Sequence, residues 1–226
     1  MKEIIYVIIP TYNEATVIKC TVQEVLFHGF NVVVVDDGSN DNTADVLKEA
    51  NVHYIRHCIN LGQGAALQTG IKYALLKGAA YIVTFDADGQ HCATDIKQVV
   101  DFIDQHQLDI VFGSRFLKTS QTNVSFSKKL LLQAARIINY LATGILLSDA
   151  HNGFRVFSRN GAAALQLFEN RMSHATEILW QVQRNRLKYA EYPVTILYTK
   201  YSRRKGQKLM HSFKVFQDIL LHKIFR

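Results

Sequence analysis

Two carboxylates stand close together near the middle of this 226-residue chain, directly after an apolar run. Asp86 and Asp88 follow the segment Ala79–Val83, which has the composition of a buried strand. Alternate side chains of an extended segment leave on the same face, so these two carboxylates can share one hard cation. Mg²⁺ or Mn²⁺, with water and phosphate oxygens completing the shell, suits such ligands. A solvated turn is the alternative reading of the same pattern.

A second carboxylate pair, Asp36 and Asp37, follows the apolar run Val32–Val35. Open α/β sheets bind their ligands at the carboxyl ends of the strands, so this turn is predicted to contact a ligand. The alternative is a plain turn with helix caps at Asn42 and Thr43. Two adjacent carboxylates exceed what capping requires.

A glycine-containing turn, Asn60–Gly64, precedes a helical pattern that begins at Ala65. Glycine permits close backbone approach, and the first turn of a helix favours an anion. As a dinucleotide fingerprint the turn is weak, because it follows the wrong strand and lacks the full Gly-x-Gly-x-x-Gly spacing.

Strand-like and helix-like segments alternate through the first half of the chain. This alternation predicts a three-layer α/β sandwich with a mostly parallel central sheet and its functional loops along one edge. Arg115 follows a strand and is therefore expected at the same edge as the carboxylates. The predicted strands are Ile4–Ile9, Val32–Val35, Val52–Arg56, Ala79–Val83 and Ile110–Phe112, and the helices pass through Ile18–Leu26, Ala65–Leu75 and Ile96–Ile103.

The second half begins with an apolar stretch, Phe126–Leu147, which is predicted to be helical. Gln133, Arg136 and Asn139 interrupt it, so a core or interface helix is favoured over a transmembrane span. A polar loop, Asp149–Arg155, then enters a short strand. Two helices, about 159–168 and 175–186, and a last strand, Val194–Tyr198, complete the predicted elements.

The net charge of +7 is concentrated at the C-terminus. Residues 197–226 carry eight Lys or Arg and one acid, whereas residues 1–196 balance to zero. Without a recognisable nucleic-acid module, an anionic membrane surface or a phosphate-bearing substrate is favoured over nucleic acid. Three cysteines without metal-ligand spacing, and a start without a signal-peptide pattern, favour a cytoplasmic protein.

The C-terminal segment predicts a small second unit, 201–226, after a domain spanning 1–200. Arg203 and Lys205 belong to a basic, glycine-containing loop that is able to fold over a diphosphate, although a solvated face is an equal alternative. The following residues are predicted to form an amphipathic helix. Its apolar face either packs on the core or lies on a membrane surface.

Six motifs in order resemble those of family-2 glycosyltransferases, in the branch that includes dolichol-phosphate mannose synthase and bacterial polyprenyl-phosphate sugar synthases. They cover roughly the first 155 residues. They are Pro10–Glu14 (PTYNE), Val35–Ser39 (VDDGS), Asn60–Gly64 (NLGQG), Asp86–His91 (DADGQH), Gly113–Arg115 (GSR) and Asn152–Arg155 (NGFR).

The resemblance implies a GT-A fold, a nucleotide-sugar donor, a divalent cation and inversion by a single in-line displacement. It implies that Asp86, Asp88 and Gln90 hold the cation and the diphosphate. Arg203, aided by Lys205, would clamp the diphosphate. The residues implied or expected around the nucleotide are Pro10, Tyr12, Glu14, Asp36, Asp37, Gly64 and Asp86.

In the polyprenyl-phosphate branch, arginines that match Arg115 and Arg136 bind the acceptor phosphate. Residues 115–136 hold five cationic side chains and no acid, so a polyprenyl phosphate acceptor is favoured. A lipid phosphate is already ionised and needs no general base, whereas a sugar hydroxyl would require one, and Asp149 is the candidate. A silent nucleotide-sugar-binding scaffold is the non-enzymatic alternative, which the retained carboxylate pair disfavours.

This chain departs from the branch at two points. Asn152 replaces a serine of the Ser-Gly-Phe-Arg motif, and Gly206-Gln207-Lys208 replaces Gly-Glu-Ser-Lys. Both changes concern the acceptor and sugar side. Some relatives carry transmembrane helices that this sequence lacks, so we expect peripheral contact on the cytoplasmic face of a membrane, with a small membrane protein as a candidate partner.

Overall fold

The computed structural model describes residues 4–117, 136–137, 139–169 and 173–198. Within them the strands are β1 (Ile5–Thr11), β2 (Asn31–Asp36), β3 (His53–Arg56), β4 (Tyr81–Thr84), β5 (Ile110–Ser114), β6 (Arg155–Ser158) and β7 (Tyr189–Pro193). The helices are α1 (Ile18–Phe27), α2 (Thr43–Val46), α3 (Gln63–Leu76), α4 (Thr94–Gln105), α5 (Arg159–Ala163) and α6 (His174–Arg184). Residues 139–143 are also helical. The predicted C-terminal unit, 201–226, lies outside the described residues.

The seven strands form one sheet in the order β3-β2-β1-β4-β6-β5-β7. All neighbours are parallel except β6, which is antiparallel to both β4 and β5. Thr84 at the end of β4 is therefore paired with Arg155 at the start of β6. As a consequence, the loop that precedes β6 lies at the same edge as the loops that follow the parallel strands.

The core has two halves, one on each face of the sheet. Val7 and Ile9 of β1 pack in the cluster that contains the apolar faces of α1 and α4. Tyr6 and Ile8 point the other way and pack in the cluster that contains α3 and α6. Strands covered on both faces need apolar residues at every position, which explains the continuous Val and Ile runs. The predicted three-layer sandwich with a mostly parallel sheet is confirmed.

Two helices are shorter than the sequence pattern indicates. The helical residues in the stretch predicted at 126–147 end at residue 143, because Gly144 adopts a φ of 73° and its N–H donates to the Tyr140 carbonyl oxygen at 2.8 Å. A glycine in this conformation is a common helix terminator. The helix expected at 159–168 covers only Arg159–Ala163.

The last strand also differs from the prediction. It is Tyr189–Pro193, and the expected Val194–Tyr198 contains only an isolated bridge between Ile196 and His91. Because β7 is the outermost strand, it tolerates both a proline and the polar Glu191, whose carboxylate accepts hydrogen bonds from Ser148. In the part of the chain that the structure describes, no helix is long and apolar enough to span a bilayer.

We predict that Gly70→Ala destabilises the protein. Alanine normally favours a helix by about 1 kcal/mol over glycine. At Gly70, however, a Cβ atom would lie inside van der Waals distance of the Ile8 side chain on β1. We expect urea denaturation to show a loss of about 1–3 kcal/mol of unfolding free energy, the usual cost of overpacking. Lys72→Ala, on the exposed side of α3, is the control and should change it by less than about 0.5 kcal/mol. Wild-type stability of Gly70→Ala would contradict the close packing of α3 on β1.

Candidate functional site

The loops at the carboxyl edge of the sheet form the candidate site. Thr84, at the end of β4, donates a hydrogen bond to the Gly153 carbonyl oxygen at 2.7 Å, which joins the loop after β4 to the loop before β6. The loop after β5 joins the same cluster, because the Arg115 backbone N–H donates to Asp149 at 3.1 Å. The structure thus brings Asp86, Arg115 and Asp149, which are far apart in sequence, to one edge.

Each carboxylate of the Asp86–Asp88 pair has its own hydrogen-bond partners. Asp86 Oδ2 lies 3.1 Å from Nε2 of His91, and its Oδ1 accepts from the Gln63 side chain at 3.4 Å. Asp88 accepts from the backbone N–H of Gln90 at 3.2 Å and from the Gln90 side-chain amide. Gln90 therefore orients Asp88, and the first residue of α3 reaches Asp86.

Asp86 also packs directly against a glycine backbone. A Cβ atom added to Gly153 would overlap all three terminal atoms of the Asp86 carboxyl group. The position therefore needs glycine for space, and the motif that contains Gly153 is tied physically to the carboxylate pair.

The electrostatics of the pair favour a bound cation. Burial and the neighbouring charge of Asp86 raise the pKa of Asp88. Burial also acts to raise the pKa of Asp86, but the hydrogen bond from His91 and the charges of His91, Arg155 and His174 lower it overall. A carboxylate whose ionisation is disfavoured by a neighbouring carboxylate gains from a divalent cation placed between the two.

The donor set fits Mg²⁺ or Mn²⁺ that keeps other ligands besides protein side chains. Across the described ranges there is no cluster of three or more His, Cys, Asp or Glu side chains arranged to hold a metal. Mg²⁺ commonly binds through one or two carboxylates together with waters and substrate phosphates. Asp86 and Asp88 have the chemistry that this requires, and the roles of Asp86, Asp88 and Gln90 as ligands stay predictions.

Helix α1 supports the loop that carries these carboxylates. The Thr21 hydroxyl donates to the Ala87 carbonyl oxygen at 3.0 Å, and the Glu24 carboxylate accepts from the backbone N–H of Ala93 at 2.9 Å. Gly89, with a φ of 70°, allows the chain to turn between these two anchors. The loop is thus held at both ends by side chains from one helix.

Asp36 is fully buried and its carboxylate is used within the protein. It accepts from the Ser39 backbone N–H at 2.8 Å and from the Tyr54 hydroxyl, and Nε of Arg56 lies 3.8 Å away. Burial, followed by the hydrogen bond to Asp36, raises the pKa of Tyr54 above its usual range. The expected nucleotide contact of Asp36 stays a prediction.

Asp37 organises the turn that leads into α3. One oxygen lies 2.8 Å from Nδ1 of His57 and accepts from the Leu61 N–H at 2.9 Å, and the other accepts from the Gly62 N–H at 2.6 Å. The side chain therefore fixes where α3 begins and, with it, Gln63. Its direct contact with a nucleotide is likewise still a prediction.

The remaining residues expected at the nucleotide lie at or near this edge. Pro10 is in β1, Tyr12 follows that strand and is 41% exposed, and Glu14 is buried, with its backbone N–H donating to Thr43 at 3.2 Å. Gly64 has a packing role, because a Cβ atom there would overlap the Glu169 carbonyl oxygen. That contact by itself requires glycine, and the expected nucleotide contact of Gly64 stays a prediction.

Arg115 and Asp149, both predicted site residues, form a buried ion pair. Nε of Arg115 donates to Asp149 Oδ2 at 2.6 Å, and the same oxygen accepts from the Arg115 backbone N–H and from Asn152 at 3.3 Å. The side chains are 10% and 1% exposed, respectively. Although burial acts to lower the pKa of Arg115, the charge of Asp149 raises it overall. Arg115 is therefore cationic and already paired.

Arg155 and His91 are site residues that the sequence reasoning did not assign. Arg155 is 2% exposed, and its Nε has no hydrogen-bond partner among the described residues. His91 is buried between the rings of Phe85 and Phe154, at 5.2 and 5.7 Å. Arg155 is a charged residue at the start of the otherwise largely apolar strand β6, and this position in the sequence could have marked it as a site residue.

The other predicted phosphate-binding residues are only partly described. Arg136 is half-buried, and its Nε has no partner within the described ranges. Arg203 and Lys205 lie outside those ranges, so their diphosphate role stays a prediction.

Comparison with known proteins identifies related sequences and folds. Residues 6–165 match the model of Glycosyl transferase family 2. The chain is 35% identical over 243 residues to the UDP-N-acetylglucosamine–dolichyl-phosphate N-acetylglucosaminyltransferase of Methanococcus voltae, covering 98% of this chain and 97% of the relative. It is 29% identical over 202 residues to the polyprenol monophosphomannose synthase of Mycolicibacterium smegmatis, covering 84% and 76%.

Among solved structures, glucosyl-3-phosphoglycerate synthase from Mycobacterium tuberculosis has a similar fold. Its complex with uridine diphosphate gives a TM-score of 0.73 at 15% identity, covering 97% of this chain and 79% of that chain. A complex with Mn²⁺, uridine diphosphate and glucosyl-3-phosphoglycerate gives a TM-score of 0.66 at 15% identity, covering 96% and 80%. At this identity the likeness shows the fold alone, and it confirms a GT-A-like α/β architecture.

We predict that Gly153→Ala weakens cation binding. The new methyl group would displace the Asp86 carboxylate, whereas the backbone of Gly153 is not in the left-handed region and accepts alanine. Titration calorimetry with Mn²⁺ in the presence of a nucleoside diphosphate should show at least a tenfold loss of affinity, about 1.4 kcal/mol. Thermal unfolding of the same sample should confirm that the variant is folded. Unchanged Mn²⁺ affinity in a folded variant would contradict the assignment of Asp86.

Proposed function

Because this chain belongs to glycosyl transferase family 2, we propose that it transfers a sugar from a nucleotide sugar to a polyprenyl phosphate. The observation that carries the proposal is the shared edge of the sheet, where the loops that hold a carboxylate pair suited to a cation are joined to the loops that hold the cationic Arg115. The two relatives support the acceptor class, because their names include dolichyl phosphate and polyprenol.

The donor side is built around Asp86 and Asp88. The cation would supply positive charge to the leaving diphosphate, as metal ions do in phosphate-displacing enzymes. Both relatives are named for a sugar transferred to a lipid, but the sugars differ. UDP-N-acetylglucosamine, named in the more similar of the two, is the first donor to test, ahead of UDP-glucose and GDP-mannose.

The acceptor side needs positive charge and orientation rather than a base. A lipid phosphate is ionised near neutral pH, and its oxygen can attack the anomeric carbon directly. Arg115 would neutralise and orient it, and Arg136 is the second proposed contact. In this reaction one oxygen–carbon bond forms as the bond to the diphosphate breaks, with inversion at the carbon.

Asp149 is better suited to positioning Arg115 than to removing a proton. Its Oδ2 already accepts three hydrogen bonds, and the side chain is 1% exposed. A general base must reach the proton that it removes. A sugar hydroxyl acceptor with Asp149 as base is therefore the weaker candidate.

The proposed acceptor implies action at a membrane surface. We propose peripheral association on the cytoplasmic face, supported by Lys118, Lys128 and Lys129 and by the +7 charge of residues 197–226. A membrane-protein partner stays a prediction without support from the relatives' names.

We predict metal-dependent transfer to lipid. Purified protein should move radiolabelled sugar from one of the three donors to a short-chain polyprenyl phosphate with Mn²⁺ or Mg²⁺, and chelator should abolish the transfer. Extraction of label into the organic phase measures the product. Transfer to a soluble glycan, with none to polyprenyl phosphate, would contradict the proposal.

We predict that Asp149→Asn preserves turnover at saturating acceptor. If Asp149 only positions Arg115, kcat should fall less than about tenfold while the KM for polyprenyl phosphate rises. Loss of a general base would instead reduce kcat by about 10²–10⁴. Steady-state kinetics with both substrates varied distinguish the two, and a kcat loss in the larger range would restore Asp149 as the base.

A further inference from the structure

The hydroxyl group of Tyr198 contacts the arginine that we assign to the acceptor phosphate. Nη1 of Arg115 donates to this hydroxyl at 2.9 Å, on the side of the guanidinium opposite the contact of Nε with Asp149. We propose that Tyr198 is a positioning residue for the acceptor, holding the guanidinium of Arg115 in the orientation that binds the phosphate. This inference rests on the proposed function.

The contacts of Arg115 define which of its donors remain for a ligand. A guanidinium has five N–H groups in a rigid plane. Asp149 accepts from Nε and Tyr198 accepts from Nη1, so two separate nitrogens of the plane are fixed. Nη2 makes no hydrogen bond to the described residues. The two hydrogens of Nη2 and the second hydrogen of Nη1 are therefore the donors that a phosphate can use, and a pair of parallel N–H groups suits two phosphate oxygens.

Tyr198 is the last residue of a short segment, Val194–Tyr198, which we call the edge segment. Hydrogen bonds of the residues before Tyr198 hold this segment in place. The Val194 N–H donates to the Ser114 carbonyl oxygen at 3.0 Å, next to Arg115. The Thr195 N–H donates to the Asp95 carboxylate at 2.7 Å, at the start of α4. The edge segment is therefore anchored independently of Arg115.

The edge segment also contacts the loop that carries the carboxylate pair. The Leu197 N–H donates to the Gln90 carbonyl oxygen at 2.8 Å, and Ile196 forms a bridge with His91. One short segment thus joins Gln90 and His91 on the donor side to Tyr198 and Arg115 on the acceptor side. Tyr198 fixes Arg115 relative to the carboxylates, which is what an in-line attack requires.

The test is Tyr198→Phe, which removes the hydroxyl and keeps the ring. Kinetics with short-chain polyprenyl phosphate should show a KM for the acceptor raised about tenfold, the size expected for a hydrogen bond to a charged group. The KM for the nucleotide sugar and the thermal unfolding temperature should not change. Tyr192→Phe is the matched control, because Tyr192 is half-buried on β7, packs on Phe102 at 5.1 Å and makes no hydroxyl hydrogen bond to the described residues.

A double-mutant cycle separates positioning from a general structural effect. If Tyr198 acts through Arg115, Tyr198→Phe should have no further effect on the acceptor KM in an Arg115→Lys background, because the guanidinium is already absent. Equal effects in both backgrounds would overturn the inference, as would a rise in both substrate KM values.

The outcomes distinguish this inference from the function on which it rests. If wild-type protein transfers sugar to polyprenyl phosphate and Tyr198→Phe has a wild-type acceptor KM, the inference is wrong and the function stands. If wild-type protein transfers no sugar to polyprenyl phosphate, the proposed function is wrong, and the inference is wrong with it.

Discussion

The burial of Arg155 is the constraint on which the site depends. Its side chain is almost inaccessible to water, and burial lowers the pKa of Arg155 to about 10, while Asp86 and Asp149 act in the opposite direction. An uncompensated buried charge costs several kcal/mol, so the fold must keep carboxylates near it. Asp86 and Asp149 meet this need from two different loops. The charges of the site consequently alternate, from Asp86 through Arg155 and Asp149 to Arg115.

This alternation explains why the structure requires an antiparallel strand within an otherwise parallel sheet. Because β6 runs against β4 and β5, Arg155 is paired with Thr84 on one side and Phe112 on the other. It lies at the carboxyl end of β4 and two residues before the end of β5. A parallel strand would have placed its first residue at the opposite edge. The preceding Gly153 then leaves room for Asp86.

The sequence predicts the central strands and the location of the site well, for a physical reason. Strands β1 and β2 are covered on both faces and need apolar residues along most of their length, so their sequence pattern is easy to recognise. Polar residues directly after these strands must then lie at the carboxyl edge of the sheet. The edge strand β7 has no such requirement. Because it contains Glu191 and Pro193, its sequence lacks the apolar pattern by which a strand is recognised. The partners of Asp36 and Asp37, which are Tyr54 and His57, follow from long-range packing that no local pattern contains.

The same physics decides which predicted roles fit the observed contacts. As a carboxylate in a polar loop, Asp149 is a candidate base by sequence, but its position beside Arg115 and near Arg155 suits charge compensation better. Two cations, Arg115 and Arg155, lie close to its carboxylate, and its hydrogen bonds restrict access to the oxygen that they use. Removing it would leave buried positive charge on both sides. Its contacts therefore compensate charge, and they orient the arginine that we propose for the acceptor.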